Sequence, residues 1–295
     1  MAERRTGWLK YGFVAPAILL LITLNVYPLI YNVAVSFTDA RLSGGEACGV
    51  GASNYAEIFS DPAFARAIRT TALFVILAVS VELGLGFLLA MALQRPFRGK
   101  SAVLTMLLIP MMLSPAVMGL YWNLILNGSY GILNQTLAAI SLPQPQWLTD
   151  TNLKLLTILI IDVWMWTPFM MLIALAGLNS IPRYIYEAAE IDRASAWRVF
   201  RRITLPMCAP LLVLAALLRA TDALKQFDLV MAVTGPNDEA TQTLSALLYE
   251  QAFRGGRVGL GCAYGCVILV IVIALASVFT RYIGFIQRRQ GRAEA

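Results

Sequence analysis

Arg219, Thr221, Asp222, Lys225, Gln226 and Asp228 lie close together in an otherwise apolar stretch, and no other residues of this chain are so well suited to chemistry. On a helix, positions 219, 222 and 226 share one face, and 221, 225 and 228 fall on the adjoining one. A guanidinium, carboxylates and an amide on one face offer donors and acceptors to a hydroxyl-rich solute. Charges at membrane depth are costly unless they pair or line water, so two readings stand. Arg219 with Asp222, and Lys225 with Asp222 or Asp228, close internal ion pairs that hold a bundle together, or the same groups line a polar path. Arg219 turned toward such a path would suit an anionic solute through a bidentate contact, with Asp222 one turn away as the competing partner. Glu82 and Asp162 each stand alone in an apolar segment and read as hydrogen-bonding groups inside a bundle.

No catalytic residue follows from any other pattern. Gly99, Lys100 and Ser101 mimic the end of a phosphate-binding loop, but the glycine required five residues earlier is Gln94, and no strand precedes it. The chain has no histidine, and Cys208, Cys262 and Cys266 sit in apolar runs while Cys48 alone is expected in water, so neither a metal site nor a disulfide is implied. The chain therefore shows no means of hydrolysing ATP itself.

The elements that position these residues are membrane helices. Hydrophobic side chains make up 59% of the 295 residues and charged ones 14%, too apolar for an ordinary soluble domain. Runs long enough to cross the hydrocarbon core, about 20 helical residues, occur at 13–37, 70–93, 102–126, 155–178, 207–233 and 260–279. They predict an all-α membrane protein of six transmembrane helices forming one domain over 1–295, with proline interruptions at Pro16, Pro28, Pro110, Pro115, Pro168 and Pro210. The first run is too long for a cleaved signal and reads as a retained span.

Lys and Arg set the orientation. Arg4, Arg5 and Lys10 precede the first run, Arg95, Arg98 and Lys100 fill the second connection, and Arg183, Arg193, Arg198, Arg201 and Arg202 the fourth. Arg281, Arg288, Arg289 and Arg292 end the chain. The positive-inside rule makes these segments, and both termini, cytoplasmic in a multi-pass bacterial inner-membrane protein. The net charge of +6 is this orientation signal, and no nucleic-acid partner is called for.

Between the fourth and fifth runs lies a polar segment, 183–206. Glu187, Ala188 and Ala189 open one short run of helix formers and Ala194 to Phe200 makes a second, with Trp197 and Phe200 three apart. Small alanines admit another protein's backbone; Glu187, Glu190 and Asp192 favour a helix N-terminal half, and Arg198, Arg201 and Arg202 a C-terminal half. Physics alone leaves two readings, a docking surface or an interfacial helix on anionic membrane lipid.

The segment resembles the EAA loop of binding-protein-dependent ABC importer permeases. Glu187, Ala188, Ala189, Asp192, Ala194, Trp197, Phe200, Ile203, Thr204, Leu205 and Pro206 match its carbohydrate-permease form, with Arg193 where the usual Gly stands. An Arg there either holds a left-handed backbone or shifts the turn. Thr234, Gly235, Pro236, Thr243, Leu244, Tyr249 and Phe253 resemble a signature of one paired sugar-permease subunit, the maltose-permease-F type, with one glycine missing, and Asn54 and Tyr55 resemble the family's Gly-x-x-Asn-Tyr region.

The resemblance implies a type I ABC importer permease fold and an importer of a sugar, polyol, sugar acid or sugar phosphate or sulfonate. It implies a second homologous permease, an extracytoplasmic solute-binding protein, and two ATPase subunits that carry the ATP and Mg, so that this chain binds no cofactor. Glu187, Ala188, Ala189, Asp192, Ala194, Trp197 and Phe200 would couple to the ATPases, with Trp197 and Phe200 anchoring the loop to its own bundle. Arg219, Asp222, Ala223, Gln226, Trp122 and Asn123 would line the substrate path, although Trp122 equally suits an interfacial belt. The alternative is an ion-coupled secondary transporter using Asp162, Asp222 or Asp228.

Overall fold

The apolar runs are helices in the computed structural model, which describes residues 13–291, with side chains to Phe285. Of the orientation signal, Arg4, Arg5, Lys10 and Arg292, and the side chains of Arg288 and Arg289, lie outside the described residues. In chain order the helices are α1 (Phe13–Val35), α2 (Ser53–Ser60), α3 (Pro62–Gln94), α4 (Lys100–Leu108), α5 (Pro115–Ile125) and α6 (Ile132–Ala139). They continue as α7 (Thr151–Ser180), α8 (Arg183–Ile191), α9 (Ala196–Ala223), α10 (Asp228–Val233), α11 (Leu244–Tyr249) and α12 (Val258–Gly291). Among the described residues the only β pairing is an isolated antiparallel bridge, Thr38 to Gly49.

Five helices, α1, α3, α7, α9 and the Val258–Phe285 part of α12, are long and apolar enough to cross a bilayer. The third expected span, 102–126, is not one helix. It stops at Leu108, makes a 3-10 turn over Pro110–Met112, runs extended through Leu113 (ψ 148°) and Ser114 (ψ 132°), and restarts at Pro115. Pro110 and Pro115 have no amide to donate, and a proline at the first helical turn favours a new start over continuation. Non-helical backbone at membrane depth is tolerated where protein or water covers it.

The fifth expected span, 207–233, is displaced. Helix α9 begins at Ala196, passes through a π-helical turn at Phe200–Thr204, and ends at Ala223. Lys225 N and Gln226 N turn back to Asp222 O and Ala223 O at 3.0 and 3.1 Å, and Phe227 (φ −135°, ψ −55°) leaves the helix before α10 starts. Lys225 and Asp228 therefore do not continue the helical face of Thr221, which corrects the expected placement of these charges on one helix.

The chain divides into two compact units, 1–64 with 248–269, and 65–247 with 270–295. In the first, Asn54 donates to Ser36 O and Thr38 O, both at 2.9 Å, and the Ser36 and Tyr55 hydroxyls pair at 2.7 Å. Asn54 and Tyr55 thus hold the loop after α1 to α2. Glu57 and Arg257 form a two-pronged ion pair, and Phe64 packs edge-on to the buried ring of Tyr264. In the second unit, Phe74, Ala78, Met118, Ile161, Met165 and Leu229 form one buried cluster, and Phe87, Ala90, Met171, Ala174, Cys208 and Leu212 another. Two glycines permit its close approaches: a Cβ at Gly86 would stand 2.7 Å from Met171 N, and one at Gly119 would stand 2.5 Å from Ala232 Cβ.

Candidate functional site

Two constellations stand at the ends of α9. At its start, the polar segment forms the short helix α8 and the first turns of α9 on either side of a tight turn. The Arg193 backbone is left-handed, φ 51°, with its N–H on Glu190 O (3.0 Å) and the next N–H, of Ala194, on Ala189 O (2.9 Å). These two bonds are a Schellman cap, the motif that usually takes glycine at the Arg193 position. Of the two alternatives open to an arginine there, the chain takes the strained backbone and keeps the turn. Ser195 then caps the next helix by accepting from Arg198 N at 3.4 Å.

The turn folds the helices against each other and leaves a depression of about 430 Å³, lined among others by Tyr184, Ala188, Asp192, Ala194, Arg198 and Arg202. Glu187, Ala188 and Asp192 are exposed, Ala194 is half-buried, and Ala189 is buried at the helix contact. Phe200 reaches down to Phe87 of α3, ring centroids 6.1 Å apart, and the Tyr186 hydroxyl lies 3.2 Å from that of Thr204. Trp197 stacks on Phe200 at 5.5 Å and stays 67% exposed. Ile191 is 83% and Tyr184, which lines the depression, 68% exposed, so this segment carries large side chains that its own bundle does not cover. The depression thus combines small residues, Ala188 and Ala194, with the charges of Asp192, Arg198 and Arg202.

At the other end of α9, Arg219 is 2% exposed and lies between two carboxylates that are fully buried. Its Nε and Nη2 donate to the two oxygens of Glu82 at 2.9 and 3.1 Å, and Nη2 also donates to Asp162. The Asp222 carboxylate stands 3.5 Å from Nη1 and is 54% exposed, and the Trp166 ring lies 5.0 Å from the guanidinium carbon. The Gln226 side-chain amide donates to the other Asp162 oxygen at 2.8 Å, while the Gln226 backbone carbonyl accepts from the Thr243 hydroxyl at 2.8 Å. Three transmembrane helices, α3, α7 and α9, are pinned by one guanidinium.

The candidate path residues are thus partly assembled. Arg219, Asp222 and Gln226 form one network, and Ala223 is buried beside it. Trp122 and Asn123 are not in that network. Asn123 donates to Val233 O at 3.1 Å, which caps α10, and Trp122 packs edge-on to Trp164 at 5.6 Å. The charge of Arg219 is committed to Glu82 and Asp162, so the cation available to an anionic solute here is not a free fork. Glu82, Asp162 and Trp166, none of them expected at the path, complete the site. The two lone carboxylates in apolar runs, Glu82 and Asp162, were the available signal, since each needs a counter-charge at membrane depth.

The model of one protein family, described as binding-protein-dependent transport system inner membrane component, matches residues 82–292. The chain is 34% identical over 285 residues to the trehalose transport system permease protein SugA of Mycobacterium tuberculosis, covering 96% of this chain and 90% of that protein. It is 31% identical over 277 residues to the trehalose/maltose transport system permease protein MalF of Thermococcus litoralis, covering 94% of each. Among solved structures it resembles a chain of a bacterial alginate ABC transporter, crystallised with its pentasaccharide-bound periplasmic protein, with a TM-score of 0.82 at 22% identity over 94% of both chains.

Proposed function

Because the chain belongs to the binding-protein-dependent transport system inner membrane components, we propose that it forms, with a second homologous permease, the path of an ATP-driven importer for a carbohydrate or related solute. The sugar class is supported by relatives named for trehalose and maltose transport, whose lengths it spans almost completely. The ion-coupled alternative finds no support among them. An extracytoplasmic binding protein would deliver the solute, and two ATPase subunits, carrying ATP and Mg, would dock from the cytoplasm, where both termini also lie. The whole chain would act as one permease domain.

The observation that carries this reading is the continuity of α9, which runs from the lip of the depression to Arg219 without a break in helix. In the proposed mechanism an ATPase element seats on Ala188 and Ala194, with Glu187 and Asp192 as polar contacts and Trp197 as the exposed anchor. Closing of the ATPases would push the Arg193 turn, and Phe200 against Phe87 would pass that push into α3 and α9. The far end of α9 would then shift the Arg219 network and change which side Asp222 and Gln226 face. Such coupling works by biasing a two-state element, with no bond made or broken in this chain. Asp222 and Gln226 would bind solute hydroxyls there, with Ala223 and Arg219 behind them, and Asn123 and Trp122 farther along the path.

Glu187→Lys reverses a charge on an exposed residue that supports no buried contact. It should abolish uptake and uncouple ATP hydrolysis from binding-protein stimulation, while the variant inserts in the membrane at normal levels. Uptake at the wild-type rate would refute docking at this surface.

A further inference from the structure

The network around Arg219 has a charge count that a role in the path does not explain. Glu82 of α3 and Asp162 of α7 are both fully buried, and the one cation between them is a single guanidinium. The third carboxylate, Asp222, stands 3.5 Å from the same guanidinium and is 54% exposed, so water solvates it. Among the described residues no other charge completes the balance. On α3 the nearest is Arg69, thirteen residues and about 20 Å along the helix from Glu82. On α7 it is Lys154, which pairs with Asp238, while Lys225 and Asp228 beyond α9 are exposed and outside the network's ion pairs. Neither buried carboxyl has exposed surface through which a cation of another subunit could reach it.

Two ionised carboxylates against one guanidinium leave a negative charge uncompensated at membrane depth, which is the costly arrangement. Close carboxyl pairs relieve that cost by keeping one proton between them. A second observation points the same way. The Glu82 and Asp162 carboxyls hydrogen-bond to each other, and an ionised carboxylate only accepts, so a bond between two carboxyls needs a proton on one of them. The remaining donors fit that count: Nη2 of Arg219 donates to one oxygen of each carboxyl, and Gln226 brings Asp162 a hydrogen without a charge.

We propose that Glu82 and Asp162 form a binding site for one proton, shared between the two carboxyls and retained at neutral pH. The proton is a resident of the network and not a transported ion. It joins α3 to α7 directly, whereas Arg219 joins them only through α9. When α9 shifts as proposed above, this bond keeps α3 and α7 together. The proton itself is inferred from the network alone and does not depend on that shift.

The test is infrared spectroscopy of the assembled importer in lipid nanodiscs at neutral pH. The wild type should show a carboxylic-acid C=O stretch that both Glu82→Gln and Asp162→Asn lack, since either substitution leaves one ionised carboxylate beside Arg219. Asp222→Asn, at an exposed group, should keep the band. Both amide variants should assemble, because the amide supplies the bridging hydrogen in place of the acid. Denaturant unfolding gives a second reading. The folded chain binds one proton that the unfolded carboxyls release, so stability should fall as pH rises between about 6 and 8, by about tenfold in the unfolding equilibrium per pH unit relative to Glu82→Gln. Absence of the band from the wild type, its persistence in both amide variants, the same pH dependence of unfolding in wild type and Glu82→Gln, or failure of both variants to assemble would each overturn the proposal.

Discussion

Two arginine-glutamate forks hold this chain, one in each compact unit, and they share little beyond two-pronged contact: Arg219 meets Glu82 side-on through Nε and Nη2, and Arg257 meets Glu57 end-on through Nη1 and Nη2. Arg219 and Glu82 are 2% and 0% exposed, whereas Arg257 and Glu57 are 40% and 48% exposed. The buried fork recruits a second carboxylate, Asp162, an amide, Gln226, and the face of Trp166. The exposed fork has water for company. Removing ions from water is costly, and only additional partners offset that cost, so the buried guanidinium has collected them. A buried fork is therefore a poor stabiliser relative to an apolar core and a strong constraint relative to its own broken form. That makes it suited to hold three helices in one of two discrete arrangements, while the exposed fork closes a connection and adds little else.

The largest effect should come from breaking the buried fork on one side. Arg219→Leu leaves Glu82 and Asp162 facing each other without a cation, and removal of one partner from a buried pair costs about 3–5 kcal/mol. The melting temperature of the purified complex should fall accordingly. Combining Glu82→Gln, Asp162→Asn and Arg219→Met removes the imbalance and should restore most of the stability, with uptake still lost if the network switches the path. Wild-type uptake by the stable triple variant would reduce the cluster to a structural clamp. An Arg219→Leu protein as stable as the wild type would remove the contrast between the forks.

A third arginine sharpens the contrast because its side chain is in neither kind of fork. Arg193 is exposed, and what it costs is backbone strain at φ 51°. An L-residue in the left-handed region is disfavoured by about 1–2 kcal/mol, partly offset because glycine in its place frees the unfolded chain. Arg193→Gly should therefore stabilise the turn by about 0.5–1 kcal/mol, read as slower hydrogen exchange of the Ala194 amide, with transport retained. Faster exchange would mean that the arginine side chain itself holds the loop.

How far the sequence could be read follows the same division. The apolar runs were legible from composition, and the place of the turn from one aberrant residue in a known pattern, because both are local, whereas the left-handed backbone of Arg193 was one of two alternatives that the sequence left open. The end of α9 was not legible, since Leu224 is apolar and the helix stops through a turn in which Lys225 N and Gln226 N reach back to 222 and 223. The break in the third span was written in Pro110 and Pro115, but hydropathy averages over them. The network was half legible. Arg219 and Asp222 lie one turn apart and could be paired by spacing, whereas Glu82 is 137 residues away in sequence and Asp162 57. Pairing across helices depends on packing that no local pattern encodes. For the same reason Trp122 and Asn123, chemically apt, could not be separated from Asp222 and Gln226 until the helices were placed.

The exposed fork sets the lower bound of the comparison and has a definite pH signature. Hydrogen bonding to Arg257 holds the Glu57 carboxyl below its ordinary value of 4.5, against a smaller opposing effect of burial. A carboxyl whose folded value is depressed contributes stability that is fully present above the unfolded value and is lost as pH falls through the folded one. Stability from this pair should therefore be constant at neutral pH and decline only on the acid side of 4.5. Solvent screening limits it to about 0.2–1 kcal/mol, and added salt should diminish it further. Glu57→Gln removes the titrating group, so the acid limb of the melting curve should flatten by that amount while the neutral plateau drops equally. A loss on the scale of Arg219→Leu would show that exposure does not distinguish the two forks, and that the loop between α1 and α2 depends on Glu57 as α3, α7 and α9 depend on Arg219.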